Sequence, residues 1–428
     1  MFTERTSVGL DVHARSVAAA AIDGVTGELF QAKLTPSHEH IRSWVQDLPG
    51  PVAVTYEAGP TGFDLYRALV AAGIRCEVAA PSKLQKPSGD RVKTDAKDAI
   101  HLAKLLRLDE ITAVAIPSVD QEAARDLVRA REDCRGDLMR SRHRLSKLLL
   151  RHGIVYYGGR AWTGKHDLWL RHEASLLLLT TRPTRLAFDS DYETVLAVKA
   201  RRDRLDVAIS EMAAESEFTP LLHRLGCLRG VGTLTGFALA VEIGDWHRFT
   251  GNTIGSFVGL VPSEHSSGNS RVQGSITKTG NTHARRLLVE AAWHHRARYV
   301  VGKTMRDRWD LAPAAARARG DEGNHRLHQR WVKFIDRRKK PTIANVAIAR
   351  ELPEEYSLGT KPTKEPMVLP VKRCQSPIST ANANPVRVLT PRRHPSRRTR
   401  SVNSQSAAIS PIAASSRSRR ALTVSTLS

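Results

Sequence analysis

Four acids in the first quarter of the chain have the types and settings that hold divalent cations. Asp11 lies in "SVGLDV" and Glu57 in "VAVTYEAG". Both segments alternate bulky apolar residues (Val8, Leu10, Val12; Val52, Val54, Tyr56) with small or polar ones, the period of a β-strand. In each, the acid falls on the face opposite the bulky set. Asp95 and Asp98, three residues apart in "RVKTDAKDAIHLAKLLRL", share a helix face that continues through Leu102 and Leu105, a stripe suited to burial. A bare carboxylate pair on such a stripe repels and is costly to desolvate. A bound cation removes that repulsion. Hard oxygen donors suit magnesium or manganese, and two such ions about 3.5–4 Å apart clamp the attacking and leaving oxygens of a phosphodiester. The two aspartates also suit an ordinary first helical turn, with Thr94 as N-cap and the acids offsetting the helix dipole. The pair alone does not decide between these readings.

The elements that must position these acids are legible in outline. Residues 1–118 read as an α/β domain with a central sheet: strands at Asp11 and Glu57, a helix in "FDLYRALVAAG", a strand in "RCEVAA". Asp11 and Glu57 would share one side of the sheet, with the Asp95/Asp98 helix laid across it. Residues 119–220 turn helical and highly charged. Leu127, Cys134, Leu138, Leu145 and Leu149 form one narrow apolar seam. Val195, Val198, Leu205, Ile209 and Met212 form another, interrupted by Arg202. Such seams suit a coiled-coil pair or a dimer contact. In residues 221–352, mainly α-helical, "CLRGVGTLTGFALAVEIG" reads as a helix-hairpin-helix element. The turn amides at Gly230 and Gly232 could hold a phosphate, although packing alone also accounts for such glycines. A polar loop with six serines from Ser256 to Ser275 follows, then a helix capped by Asn281 or Thr282.

Composition narrows the class of partner. The 428 residues carry a formal net charge of +23 and are 41% hydrophobic, enough apolar material for real cores. Thirteen Lys/Arg against one acid give the stretch from Lys361 onward +12, and the Ser-, Pro- and Arg-rich tail that contains it, residues 353–428, is expected to be disordered. The body is basic without it, so the expected partner is a nucleic acid. Aromatic residues are only 5%, which argues for backbone readout over base stacking. Four scattered cysteines indicate neither a disulfide framework nor a zinc site, and the longest apolar run, Leu176 to Leu179, is too short for a bilayer. A cytoplasmic, nucleoid-associated protein without membrane contact is expected.

Several motifs together resemble the IS-one-ten family of insertion-sequence transposases: "GLDVH", "YEAGPTGFDLYRAL", "PSGDRVKTDAKDA", "DLVRAREDCRGDLMRSRHRLSKLLLRHG" and "GLVPSEHSSGNSRVQGSITKTGNTHARRLL". The resemblance runs from about Val8 to Leu352. It implies a RuvC-like (RNase H-like) mixed-sheet domain whose D-E-D-D set falls on Asp11, Glu57, Asp95 and Asp98. It also implies a C-terminal transposase domain whose nucleophilic serine, just before a glycine, falls on Ser267. Further implications are a covalent phosphoserine intermediate, a structured noncoding RNA that selects donor and target DNA, and a homo-oligomer, dimer or tetramer, in which the two domains meet between protomers. From the residues alone, Ser267 reads first as a loop serine making a turn, and Ser266 is its close rival. Arg271, Lys278 and Arg285 would neutralise phosphate near the serine or serve as ordinary surface charge. Two other readings stay open: a RuvC-like junction nuclease using metal-activated water, and a nonenzymatic nucleic-acid-binding protein. The family pattern stops at Pro353, where "PEEYSLGTKPTKEP" stands in place of an expected final helix, the pattern of an altered ending.

Overall fold

The structure is a computed structural model that describes residues 6–85, 94–174, 181–267 and 270–357. The basic tail from Lys361, the run Leu176 to Leu179 and residues 87–93 of the "PSGDRVKTDAKDA" motif lie outside the described residues.

Five strands form one mixed sheet: β1 (Thr6–Val12), β2 (Val17–Ile22), β3 (Leu29–Leu34), β4 (Val52–Glu57) and β5 (Arg75–Ala79), in the order β3-β2-β1-β4-β5. The first three are antiparallel neighbours, while β4 and β5 run parallel to β1. This is the RuvC-like, RNase H-like arrangement that the sequence led us to expect. Its bulky face buries Val8, Leu10, Val54 and Tyr56 with Ile41 and Val45 of α1 (His38–Gln46) and Leu65 and Leu69 of α2 (Asp64–Ala71). The opposite face is covered by α3 (Asp95–Arg107), which buries Ala99, Leu102, Ala103, Leu105 and Leu106. The approach is close because small residues meet. A Cβ placed on Gly9 would lie 2.1 Å from the Ala99 carbonyl oxygen and 2.5 Å from the Ala103 nitrogen, so only glycine admits α3 here.

The two seams find each other within the chain. α4 (Val119–Arg151) leads through α5 (Gly164–Trp169) to α6 (Arg182–Ala214), and α4 and α6 pack antiparallel. Leu138, Leu145 and Leu149 at one end meet Phe188, Val195 and Val198, while Ala124 and Val128 at the other share a core with Ile209 and Ala213. Arg202, the interruption in the second seam, belongs to a polar layer with Asp206, which accepts from Arg131 Nε at 2.7 Å.

The C-terminal half is helical around one core: α7 (Thr219–Leu225), α8 (Thr233–Ile243), α9 (Gly251–Phe257), α10 (Thr282–Ala292), α11 (Lys303–Asp310), α12 (Ala314–Asp336) and α13 (Pro341–Glu351). The segment read as a polar loop is instead a hairpin, β6 (Pro262–Ser267) paired with β7 (Ser270–Ile276). Both faces are largely exposed, so neither strand shows the apolar alternation that would reveal it. Asn281 is the cap of α10, its Oδ1 accepting from Ala284 N at 2.9 Å. Packing continues past Leu352 through α14 (Glu354–Ser357). Glu351 is held by Arg326 at 2.9 Å and Arg330 at 3.1 Å, and buried Glu355 by Arg319 at 3.1 Å. Among the described residues no helix is long and apolar enough to cross a membrane.

Candidate metal centre and hairpin serine

The acid site forms where three elements end together. Parallel pairing sets Leu10 of β1 opposite Tyr56 of β4, so Asp11 and Glu57 are the next residues along neighbouring strands. Asp11 is partly buried; Glu57 is exposed. α3 reaches the same end of the sheet with its first turn. Thr94 caps it, Oγ1 accepting from Lys97 N at 3.3 Å, so the ordinary capped turn and the acid cluster are one structure. The burial expected of Asp95 and Asp98 is not found. Asp95 is 64% exposed and Asp98 half-buried, because α3 overhangs the sheet by one turn and burial begins at Ala99.

His13 completes the group, and the sequence reading missed it. It follows β1 in the turn to β2, where its N–H donates to Ser16 O at 2.9 Å and brings the ring back over the strand end. Its Nε2 lies 3.1 Å from Asp11 Oδ2 and 3.8 Å from Asp95 Oδ1. Asp11, His13 and Asp95 each offer a ligand atom within 4.8 Å of the other two. Burial pushes the Asp11 carboxyl above its usual range; His13 pulls it down, while the charges of Asp95 and Asp98 push it up again. A cation would relieve both burial and repulsion. The donor set therefore fits a divalent ion, with the Asp11 and Asp95 carboxylates and the His13 imidazole gathered together, Asp98 one turn along α3 and Glu57 one strand away.

Ser267 sits on a separate element, at the end of β6, paired in register with Ser270. Ser266 donates from Oγ to Glu264 Oε1 at 2.8 Å. Alternation along the strand puts Ser266 with Glu264 on one face and Ser267 with His265 on the other. Arg271 stands opposite Ser266 in the ladder, and its side chain lies outside the described residues. Lys278 is exposed in a left-handed conformation, φ +55°. Arg285 is committed locally: its Nη1 donates to Val258 O and Thr279 O, both at 2.9 Å, bracing the base of the hairpin. Gly230 has φ +86°, and a Cβ there would lie 2.4 Å from Ala291 O, so packing suffices to require it. Gly232 is the N-cap residue of α8, with open space beside it.

Comparison with known proteins decides the family. Residues 8–154 match the IS110-type DEDD transposase family, and residues 222–309 match the transposase family IS116/IS110/IS902. The protein y4qE of Sinorhizobium fredii, which carries a transposase name, is 35% identical over 351 residues, 81% of this chain and 86% of that one. The transposase for insertion sequence element IS1533 of Leptospira borgpetersenii is 30% identical over 341 residues, 78% of this chain and 97% of its own. The chain belongs to the IS110/IS116/IS902 family of transposases. The transposase for insertion sequence element IS1111A of Coxiella burnetii is 29% identical over 245 residues, 56% of this chain and 64% of its own.

In this transposase a second residue, an acid, escaped sequence reading. Glu242 of α8 is buried, yet it accepts from Arg129 Nε and Nη2 at 2.8 and 2.9 Å and from Asn281 Nδ2 at 2.7 Å, with His283 Nδ1 at 3.0 Å. Burial alone would raise its pKa, but the bonds from His283, Arg129 and Asn281 outweigh it and hold the carboxyl well below its usual range. The network ties α4 to α8 and to the start of α10, the helix that leaves the serine hairpin. Its sequence signal is a lone acid in an otherwise apolar helix.

Proposed function

We propose that this transposase cuts and rejoins DNA by transesterification, with Ser267 as nucleophile and Asp11, Glu57, Asp95 and Asp98 as the metal site. The observation that carries the reading is the gathering of Asp11, His13 and Asp95 at the open end of the sheet, with Asp98 one turn along. A divalent magnesium or manganese ion there would supply Lewis-acid stabilisation of charge on phosphodiester oxygens. The chain's own part is to hold that ion by Asp11 and Asp95 and to present the serine. Ser267 Oγ bonds to phosphorus as the departing sugar oxygen leaves, and its proton passes to a base. His265, on the same strand face about 7 Å along, is the base this reading names, reached through one water. Because the phosphodiester energy is kept in the serine ester, a second sugar hydroxyl can displace the protein and rejoin strands.

Sequence choice in this reading is delegated to a structured RNA that pairs with donor and target DNA. The body's positive charge and low aromatic content support grip by backbone over base. Ser267 and the acids lie on different elements, which favours a homo-oligomer whose protomers exchange parts of the active unit. That same separation favours a second reading, a junction nuclease in which the acids activate water and Ser267 is idle. Cleavage by Ser267→Ala separates the two, since the nuclease keeps its activity and the serine recombinase loses it.

A further inference from the structure

Aromatic residues are scarce in this chain, yet Tyr156, Tyr157, Trp162 and Trp169 fall within one short stretch just beyond α4. The loop after α4, the helix α5 and the turn that follows it line an open cavity of about 880 Å³. Tyr156, Tyr157 and Trp169 line it together with the basic side chains His152, Lys165 and His172; Glu173 is the acid on its wall. The volume falls in the range of about 300–1,000 Å³ typical of small-molecule sites.

The wall is built, not incidental. Gly153 and Gly159 take left-handed conformations, φ +72° and +108°, that turn the loop back on itself. Tyr156 OH donates to Gly158 O at 3.0 Å, and a Cβ at Gly158 would lie 2.4 Å from that hydroxyl, so the loop closes tightly over the ring. Behind it, His166 stacks on Trp169 with centroids 5.6 Å apart and meets Tyr156 and Trp162 edge-on. The guanidinium of Arg142 covers Trp162 at 4.9 Å. Among the described residues, the buried Nδ1 of His166 has no hydrogen-bond partner. Against this fixed backing Tyr157 stands 89% exposed, its ring bare to solvent on the cavity's edge. A core would bury that ring, and a plain surface would not place it beside a lysine and two histidines.

Aromatic faces interleaved with cations are the chemistry that holds unpaired nucleotides: every base has a face to stack, and every nucleotide a phosphate. We propose that this cavity binds an unpaired nucleotide, its base stacked on Tyr157 and Trp169 and its phosphate held by Lys165 with His152 and His172. The site rests on reading the chain as acting on nucleic acid, and it lies about 50 Å along α4 from that helix's start, at the free end of the helix pair. A looped-out base of an RNA and a base of single-stranded DNA share the required chemistry.

The test uses the full chain and oligonucleotides carrying 2-aminopurine, either in an RNA bulge, in single-stranded DNA or in a fully paired duplex. The parent should change the fluorescence of an unpaired probe and leave the paired one unchanged, and the bulge and single-strand arms identify the source. Tyr157→Ala should weaken binding of the unpaired probe about tenfold, with duplex binding unaltered. Lys165→Ala should weaken it and flatten its salt dependence. Because Tyr157 is exposed, circular dichroism should show an intact fold. Equal losses for paired and unpaired probes, no loss for either, or a changed oligomeric state in Tyr157→Ala would each overturn the site. A parent that binds no nucleic acid overturns it together with the functional reading.

Discussion

His13 closes on Asp11, Nε2 to Oδ2 at 3.1 Å, and the same nitrogen lies 3.8 Å from Asp95, so one imidazole bridges the strand acid and the helix acid. The two acids are thus tied to one side chain that the strand period did not reveal. Asp11→Asn or Asp98→Asn should abolish the heat of magnesium or manganese binding in calorimetric titration while the fold is kept. Burial and like charge raise the folded pKa of Asp11, so above the unfolded value its ionisation works against folding. In metal-free buffer near neutral pH, Asp11→Asn should therefore melt no lower than the parent. Unchanged metal binding in both variants would mean the site lies elsewhere.

Gly9 sets how closely α3 can approach the sheet, and hence where Asp95 and Asp98 stand. Gly9→Ala puts a methyl 2.1 Å from the Ala99 carbonyl oxygen, where backbone must move. Overpacking of this kind costs about 1–3 kcal/mol, read by chemical denaturation. The metal affinity should fall with it, although residue 9 offers no ligand atom. A variant that is destabilised but binds metal as the parent does would show that α3 is not needed for the site.

The placement of Asp11 and Glu57 was legible because their strands obey a simple period. Val8, Leu10 and Val12 alternate with Gly9 and Asp11, and the pairing of β1 with β4 puts Asp11 beside Glu57 as that alternation implied. His13 follows the last residue of β1, where the alternation ends, and only the turn closed by Ser16 returns its ring to Asp11. The hairpin was misread as a loop because its strands have no apolar face: Val272 itself is 58% exposed. Glu242 was missed because its main partner, Arg129, lies 113 residues away, a distance no local pattern spans.

Glu242 gives a stability test. Glu242→Gln leaves the Arg129 guanidinium without its carboxylate at the junction of α4, α8 and α10, and should cost about 3 kcal/mol, the low end for such pairs since Arg129 is half exposed. The sign with pH follows from the depressed folded pKa. The contribution is complete above the unfolded carboxylate value and is lost as pH falls through the folded one. His295 acts at milder acidity. Burial, then the nearby Arg229, lower its pKa to about 3, and His294 and His328 add to the effect. An unfolded histidine takes a proton below about pH 6.5, so stability falls from there toward pH 3. Melting curves of the parent should show both losses, and those of Glu242→Gln only the second.

The serine assignment turns on two neighbours that face opposite ways. Ser266 donates to Glu264, while Ser267 shares its strand face with His265. If Ser267 is the nucleophile, Ser267→Ala should abolish strand cleavage while metal binding and assembly persist. The parent should then form a DNA–protein adduct stable to denaturant, with mass spectrometry placing the phosphodiester on the peptide "HSSGNSR". His265→Gln should slow adduct formation by about 10²–10⁴-fold if the imidazole takes the proton. An adduct on Ser266 would move the nucleophile to the Glu264 face and make that carboxylate the base. Free, protein-less products from Ser267→Ala at the parental rate would instead establish water as the nucleophile and leave the hairpin a structural feature.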